Sequence, residues 1–122
     1  MGQAMPEVHP PIPNNAEFNV GESWQAPNGY KLLFTNEGNL ELRSPIGAKL
    51  WESGTAGRGA GRLAMQADGN LVIYDGSLAK ALWESGTSGN RGAFLALQED
   101  GNVVIYTPER KPVWATATHG KR

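Results

Sequence analysis

The chain has 122 residues, 11 basic and 12 acidic side chains, a formal charge of −1 and no cysteine. That length carries one domain with a core and not two ordinary ones, and near-neutrality removes the broad field that draws a protein to nucleic acid or an anionic membrane. Without thiols there is no disulfide, thiolate metal site or thiolate nucleophile, and sixteen glycines with eight prolines and no long helix-period segment predict an all-β domain of short strands and turns.

Residues 1–16 contain Pro6, Pro10, Pro11 and Pro13 and few large apolar groups, which predicts a flexible, extended lead-in. No basic-then-apolar signal pattern opens the chain, and no run approaches the ~18 apolar residues of a membrane helix. Nothing in the sequence as given is therefore expected to send it across a membrane.

Residues 17–118 read as the domain, with residues 119–122 as a short C-terminal tail. Trp51, Trp83 and Trp114 lie 32 and 31 positions apart and open the runs WESGT, WESGT and WATAT. Aligning on them brings Asn39, Asn70 and Asn102 into register, within FTNEGNLEL, MQADGNLVI and LQEDGNVVI. Three repeats follow, roughly 24–54, 55–86 and 87–118. In each, a Glu-Gly or Asp-Gly pair between two short alternating runs predicts a hairpin, glycine supplying the positive φ of a tight turn. Leu32, Phe34, Leu40 and Leu42 take the inward parity in the first repeat; Leu63, Met65, Leu71 and Ile73 do so in the second, and Leu95, Leu97, Val103 and Ile105 in the third. One such unit cannot bury its apolar face alone, so closed threefold packing is expected, with the three tryptophans as a central cluster. Trp24 lies outside that series. The glycine-rich stretches 54–61 and 86–92 read as loops between repeats.

The opposite parity carries the chemistry. Gln66, Asp68, Asn70, Val72 and Tyr74 recur as Gln98, Asp100, Asn102, Val104 and Tyr106, and alternation in an extended strand places each set of five on one face. Amides, a carboxylate and a phenol at fixed separations match the adjacent hydroxyls of a pyranose, and the valine offers an apolar rest for its C–H groups. These residues are the candidate carbohydrate-binding sites.

The spacing QxDxNxVxY, twice complete, resembles the monocot mannose-binding lectin family, also called bulb-type or snowdrop-type, over roughly Phe18 to Thr118. The resemblance implies a β-prism II fold, three four-stranded antiparallel sheets about a pseudo-threefold axis, and calcium-independent binding of α-linked mannose with no cofactor or metal. It implies that Asp68 and Asn70 hold the axial 2-hydroxyl, Gln66 the 3-hydroxyl and Tyr74 the 4-hydroxyl, with Val72 against the ring carbons. Gln98, Asp100, Asn102, Val104 and Tyr106 repeat those roles. It further implies mannose-containing glycans as partners and a homodimer, formed in such lectins by exchange of the C-terminal strand. Val113 to Ala117, entered through Pro112, is the segment here that either exchanges or folds back.

The first repeat departs from the pattern. Thr35, Glu37, Asn39, Glu41 and Arg43 stand at the five positions, so only the asparagine survives; Glu41 and Arg43 are expected to pair with each other, and no mannose site is expected. Enzyme readings are weak. His9 and His119 lie near the two ends without an evident base, nucleophile or metal partner, and Asp68 and Asp100 belong to different repeats, which makes a glycosidase pair ~5–9.5 Å apart unexpected. The alternative function is a lectin-like bacteriocin, or a targeting module of a larger protein, that uses mannose recognition for delivery.

Overall fold

The computed structural model describes residues 11–77 and 80–122. Its strands are β1 (Glu17–Asn19), β2 (Ser23–Gln25), β3 (Lys31–Phe34), β4 (Leu40–Arg43), β5 (Lys49–Glu52), β6 (Ala60–Met65), β7 (Leu71–Asp75), β8 (Ala81–Glu84), β9 (Phe94–Leu97), β10 (Val103–Tyr106) and β11 (Pro112–Ala115). All pairings are antiparallel, in the orders β2-β3-β4-β5, β1-β6-β7-β8 and β11-β10-β9. The third sheet has three named strands; at its fourth position Ile12 bridges Leu95, donating to its carbonyl at 2.7 Å and accepting from its N–H at 2.9 Å. Each repeat thus supplies three strands or more of one side of the expected prism, and the chain before residue 24 completes the second and third sides.

The lead-in behaves differently from its composition. Ile12 is fully buried, the Asn14 amide donates to the carbonyls of Gln66 and Ala93, and Asn15 N–H donates to Met65 O. Residues 11–16 therefore belong to the domain and are not a flexible tail, while residues 1–10 lie outside the described residues. Prolines suit such an edge because they lack the N–H that a ladder needs. Here exposed Pro11 and Pro13 flank Ile12, whose own N–H and carbonyl make the bridge. The segment from Ile12 to Gln25 visits all three sheets in turn, supplying Ile12 to the third, β1 to the second and β2 to the first.

The twelve inward positions are all buried, none more than 4% exposed. Beneath them Trp51, Trp83 and Trp114 form a closed triangle, with centroids 5.6, 5.6 and 5.7 Å apart and planes crossing at 73–79°. Edge-to-face contacts of this kind add about 0.5–1.5 kcal/mol each beyond area burial, and one ring per repeat makes the axis the place where the repeats meet. Trp24 packs instead on Phe18, 5.7 Å away, at the seam between the first and second sheets.

The WESGT run does more than mark the repeat. After the tryptophan turns inward, the serine hydroxyl accepts from the first backbone N–H of the middle strand: Ser53 from Leu40, Ser85 from Leu71 and, in WATAT, Thr116 from Val103. The final threonine donates to the turn glycine's carbonyl, Thr55 to Gly38, Thr87 to Gly69 and Thr118 to Gly101, at 2.5–2.6 Å. Those glycines have φ between 86° and 92°, and they also sit against the next repeat. A Cβ on Gly69 would fall 2.2 Å from the Asn90 carbonyl oxygen, and one on Gly101 would fall 2.9 Å from the Tyr30 ring. The third turn thus abuts the first repeat, which closes the ring.

Candidate functional site

The five residues of each copy do converge, but not by strand parity alone. β6 ends at Met65 and β7 begins at Leu71, so Gln66, Asp68 and Asn70 lie in the intervening loop, and only Val72 and Tyr74 lie on a strand. The loop curls because Gly69 takes positive φ and because Asp68 Oδ1 accepts from Asn70 N–H at 3.0 Å, the short-range bond that aspartate favours in turns. Tyr74 then donates its phenolic proton to Gln66 Oε1 at 2.6 Å, spanning the hairpin.

The third sheet repeats this: Asp100 Oδ1 accepts from Asn102 N–H at 2.9 Å, and Tyr106 donates to Gln98 Oε1. Gln98 Nε2 also reaches both Asp100 oxygens, at 3.1 and 3.2 Å. In the third sheet tyrosine, glutamine and aspartate thus form one polar chain along the hairpin edge, whereas the second has the tyrosine–glutamine bond and the aspartate turn bond without a glutamine–aspartate link. Val72 and Val104, each 3% exposed, form the floor beneath the polar groups more than an open patch.

The asparagines have a role the sequence did not disclose. Asn70 Oδ1 accepts from Ser85 Oγ, Gly86 N–H and Thr87 N–H at 3.0–3.1 Å. Asn39 Oδ1 makes the equivalent three contacts with Ser53, Gly54 and Thr55, and Asn102 Oδ1 accepts from Thr116 and Thr118. This carbonyl clasps the hairpin turn to the run after the tryptophan in all three repeats. Its loss would strand buried donors, at a cost of about 1–3 kcal/mol for each group. That is the physical reason for the survival of Asn39 where the other four positions changed. The clasp commits Oδ1 of Asn70 and Asn102 and leaves their Nδ2 ends outside it.

The two complete copies are not identical in their surroundings. Asn70 Nδ2 donates to Glu84 Oε1 at 2.7 Å, whereas the residue across from Val104 is Ala115, so Asn102 has no such partner. Glu84 brings a second carboxylate to the second sheet's face; the recurrence of WESGT, with its glutamate on the outward parity, was the signal for it. Beside the tyrosines, Arg62 stands opposite Tyr74 and Phe94 opposite Tyr106. Arg62 pairs with Glu17 at 3.3 Å, while the Phe94 ring lies 5.9 Å from Tyr106, inclined at 31°. Gln98 is 2% and Tyr106 8% exposed, where Gln66 and Tyr74 are half-buried. Burial, reinforced by the Asp100 charge and opposed by Arg110, pushes the Tyr106 phenol up, so it keeps its proton as a hydrogen-bond donor. At the rim His119 Nε2 is 3.9 Å from Asp100 Oδ2.

The first sheet spends its polar groups on itself. Arg43 donates through Nε and Nη2 to Glu41 Oε1, at 3.0 and 2.7 Å, and through Nη1 to Gly47 O. Asn39 Nδ2 bridges Glu41 and Glu52, and Lys49 holds Glu52. Burial raises the Glu41 carboxyl, but its bonds to Arg43 and Asn39 outweigh that and hold it below the usual carboxylate value. The Asn39 and Lys49 contacts lower Glu52 likewise. The pairing of Glu41 with Arg43 is as the sequence predicts. Thr35 caps the turn through Asn39 N–H. Among the described residues no three His, Cys, Asp or Glu side chains cluster as a metal site, and β11, which contains most of the segment that either exchanges or folds back, pairs with β10 of its own chain.

No family model matches the chain. The chain is 40% identical over 67 residues to the B-type lectin plumieribetin of Scorpaena plumieri, a match covering 54% of this chain and 58% of that protein. Its structure superposes on a monomeric monocot mannose-binding lectin from Gastrodia elata with a TM-score of 0.79 and 36% identity, covering 89% of this chain and 97% of that one. With the mannose-specific agglutinin of snowdrop, Galanthus nivalis, solved with methyl α-D-mannoside, the TM-score is 0.72 and identity 33%, over 89% and 96% of the chains. Likeness at this identity over nearly the whole length, on the same three-sided β-prism II, means that the chain belongs to the monocot mannose-binding, or bulb-type, lectin family and is a carbohydrate-binding protein without enzymatic activity.

Proposed function

We propose that the chain binds terminal α-mannose of mannans or high-mannose glycans, without calcium, through the outer faces of the second and third sheets. The observation that carries this reading is the tyrosine–glutamine bond and the aspartate turn bond, both built twice on equivalent hairpins and replaced on the first by an internal ion pair. Asp68 and Asp100 accept from the axial 2-hydroxyl, Gln66 and Gln98 face the 3-hydroxyl, and Tyr74 and Tyr106 accept from the 4-hydroxyl with the lone pairs that their own bonds leave free. Asn70 and Asn102 contribute through Nδ2, since Oδ1 is committed to the scaffold. A sugar with an equatorial 2-hydroxyl leaves the carboxylate unpaired, at about 1–3 kcal/mol, so mannose is preferred to glucose.

Each face is shallow, so a single sugar is held weakly; two faces on one prism, and four in a dimer, raise avidity where glycan spacing allows simultaneous contact. Titration calorimetry with a mannobiose tests the assignment on wild type, Asp68→Asn, Asp100→Asn and the double variant. The expected stoichiometries are two, one, one and none. A double variant that binds like wild type sinks the reading.

A further inference from the structure

On the outer face of the first sheet the strand register places Gln25, Lys31, Arg43 and Lys49 in one row across all four strands. The matching row is Asn19, Arg62, Tyr74 and Ala81 in the second sheet, and Phe94, Tyr106 and Pro112 in the third. Three neighbouring cations are therefore peculiar to the first repeat, and like charges directly opposite one another across strands are destabilising. Two of them are neutralised, Arg43 by Glu41 and Lys49 by Glu52. The Lys31 side chain makes no hydrogen bond or ion pair among the described residues, although it stands opposite Arg43.

Lys31 and Arg43 line one depression of about 460 Å³, together with Gln25, Leu33, Ser44 and Pro45. That volume is within the range of small-ligand sites. Arg43 uses three of its five N–H groups, which leaves two for another acceptor. The depression thus offers an unpaired ammonium, a guanidinium edge, an amide that both donates and accepts, and a half-buried leucine as an apolar floor.

We propose that this depression binds a saccharide carrying a carboxylate, of the hexuronate type. Its carboxylate sits between Lys31 Nζ and the free N–H groups of Arg43 and removes the repulsion of the row. Gln25 takes ring hydroxyls, and Leu33 takes the C–H face. A simple anion would use the cations alone, and a neutral sugar would gain nothing from them. The first face is then a site of different specificity, and its residues are distinct from those assigned to mannose.

The test is an amide NMR titration of the full chain with methyl glucuronide and methyl galacturonide, with methyl glucoside and acetate at the same concentrations as controls. A uronide is expected to shift Gln25, Lys31 and Leu33 saturably, and the controls are not. Lys31→Gln should weaken the uronide roughly fivefold, as for one partly exposed ion pair, and Lys31→Arg should retain it. The proposal is overturned if neither uronide binds, if acetate or glucoside shifts the same amides equally, if the shifts fall outside the first sheet, or if Lys31→Gln binds like wild type. Methyl α-mannoside in parallel samples reports the second and third sheets, so failure of either assignment shows separately.

Discussion

The outer faces of the first and second sheets share a backbone path and one side chain, Asn39 or Asn70, yet their polar groups are engaged differently. On the second sheet Gln66, Asp68 and Tyr74 make bonds that orient them while leaving capacity toward solvent. On the first, Glu41, Arg43, Glu52 and Lys49 largely satisfy one another. The difference separates two jobs mixed within one short motif. The asparagine carbonyl, the turn glycine and the Ser-Gly-Thr run, Thr-Ala-Thr in the third repeat, hold the hairpin throughout, whereas the glutamine, aspartate, valine and tyrosine are free to change.

The most damaging way to probe this is to remove the shared part. Asn39→Ala and Asn70→Ala should each lower stability by about 2–4 kcal/mol in urea unfolding, because each leaves several donors stranded. Equal losses are expected although only Asn70 borders a proposed mannose site; a loss confined to Asn70→Ala would tie the residue to binding and not to the clasp. The comparison should also be reversible. Replacing Thr35, Glu37, Glu41 and Arg43 with Gln, Asp, Val and Tyr together should raise the mannobiose stoichiometry in calorimetry from two to three. A value that stays at two in a folded variant would show that backbone differences, and not side chains, separate the faces.

Phe94→Ala should weaken mannoside binding on the third sheet severalfold and leave the second unchanged, since Phe94 touches Tyr106 and not Tyr74. An Asp68→Asn background isolates that sheet, and equal weakening of both would refute a local effect. The smallest effect concerns acid. Glu41 is held below its ordinary value of 4.5, so its contribution to stability is complete above about that pH and is lost as pH falls through the lowered folded value. Thermal melts from pH 6 downward should show a shallower acid decline in Glu41→Gln than in wild type; parallel curves would mean that the ion pair adds nothing.

Much of the fold was legible. The tryptophan register, the inward parity and the Asp-Gly turns follow from local rules of period and φ, and those rules do not depend on what lies across the core. Two features depart from what the sequence predicts. The prolines of residues 11–16 suggested a free tail, but composition does not show that Ile12 fits the vacant edge beside Leu95. Alternation places Gln66 and Asp68 on a strand face, but it stops where the five-residue loop between β6 and β7 begins. Their convergence with Tyr74 comes from the curl of that loop.

The sequence by itself determined that three similar hairpins exist, which side of each is apolar, and that two carry a full set of sugar-matching groups while one does not, because side-chain type and period are local properties. Only the tertiary structure decided that the asparagine is a clasp, that Phe94 and Arg62 make the two complete faces unequal, and that the altered face aligns Lys31, Arg43 and Lys49 in one row. Each of those depends on which residues stand opposite one another across strands, and register is fixed by the closed packing of all three sheets around the tryptophan triangle.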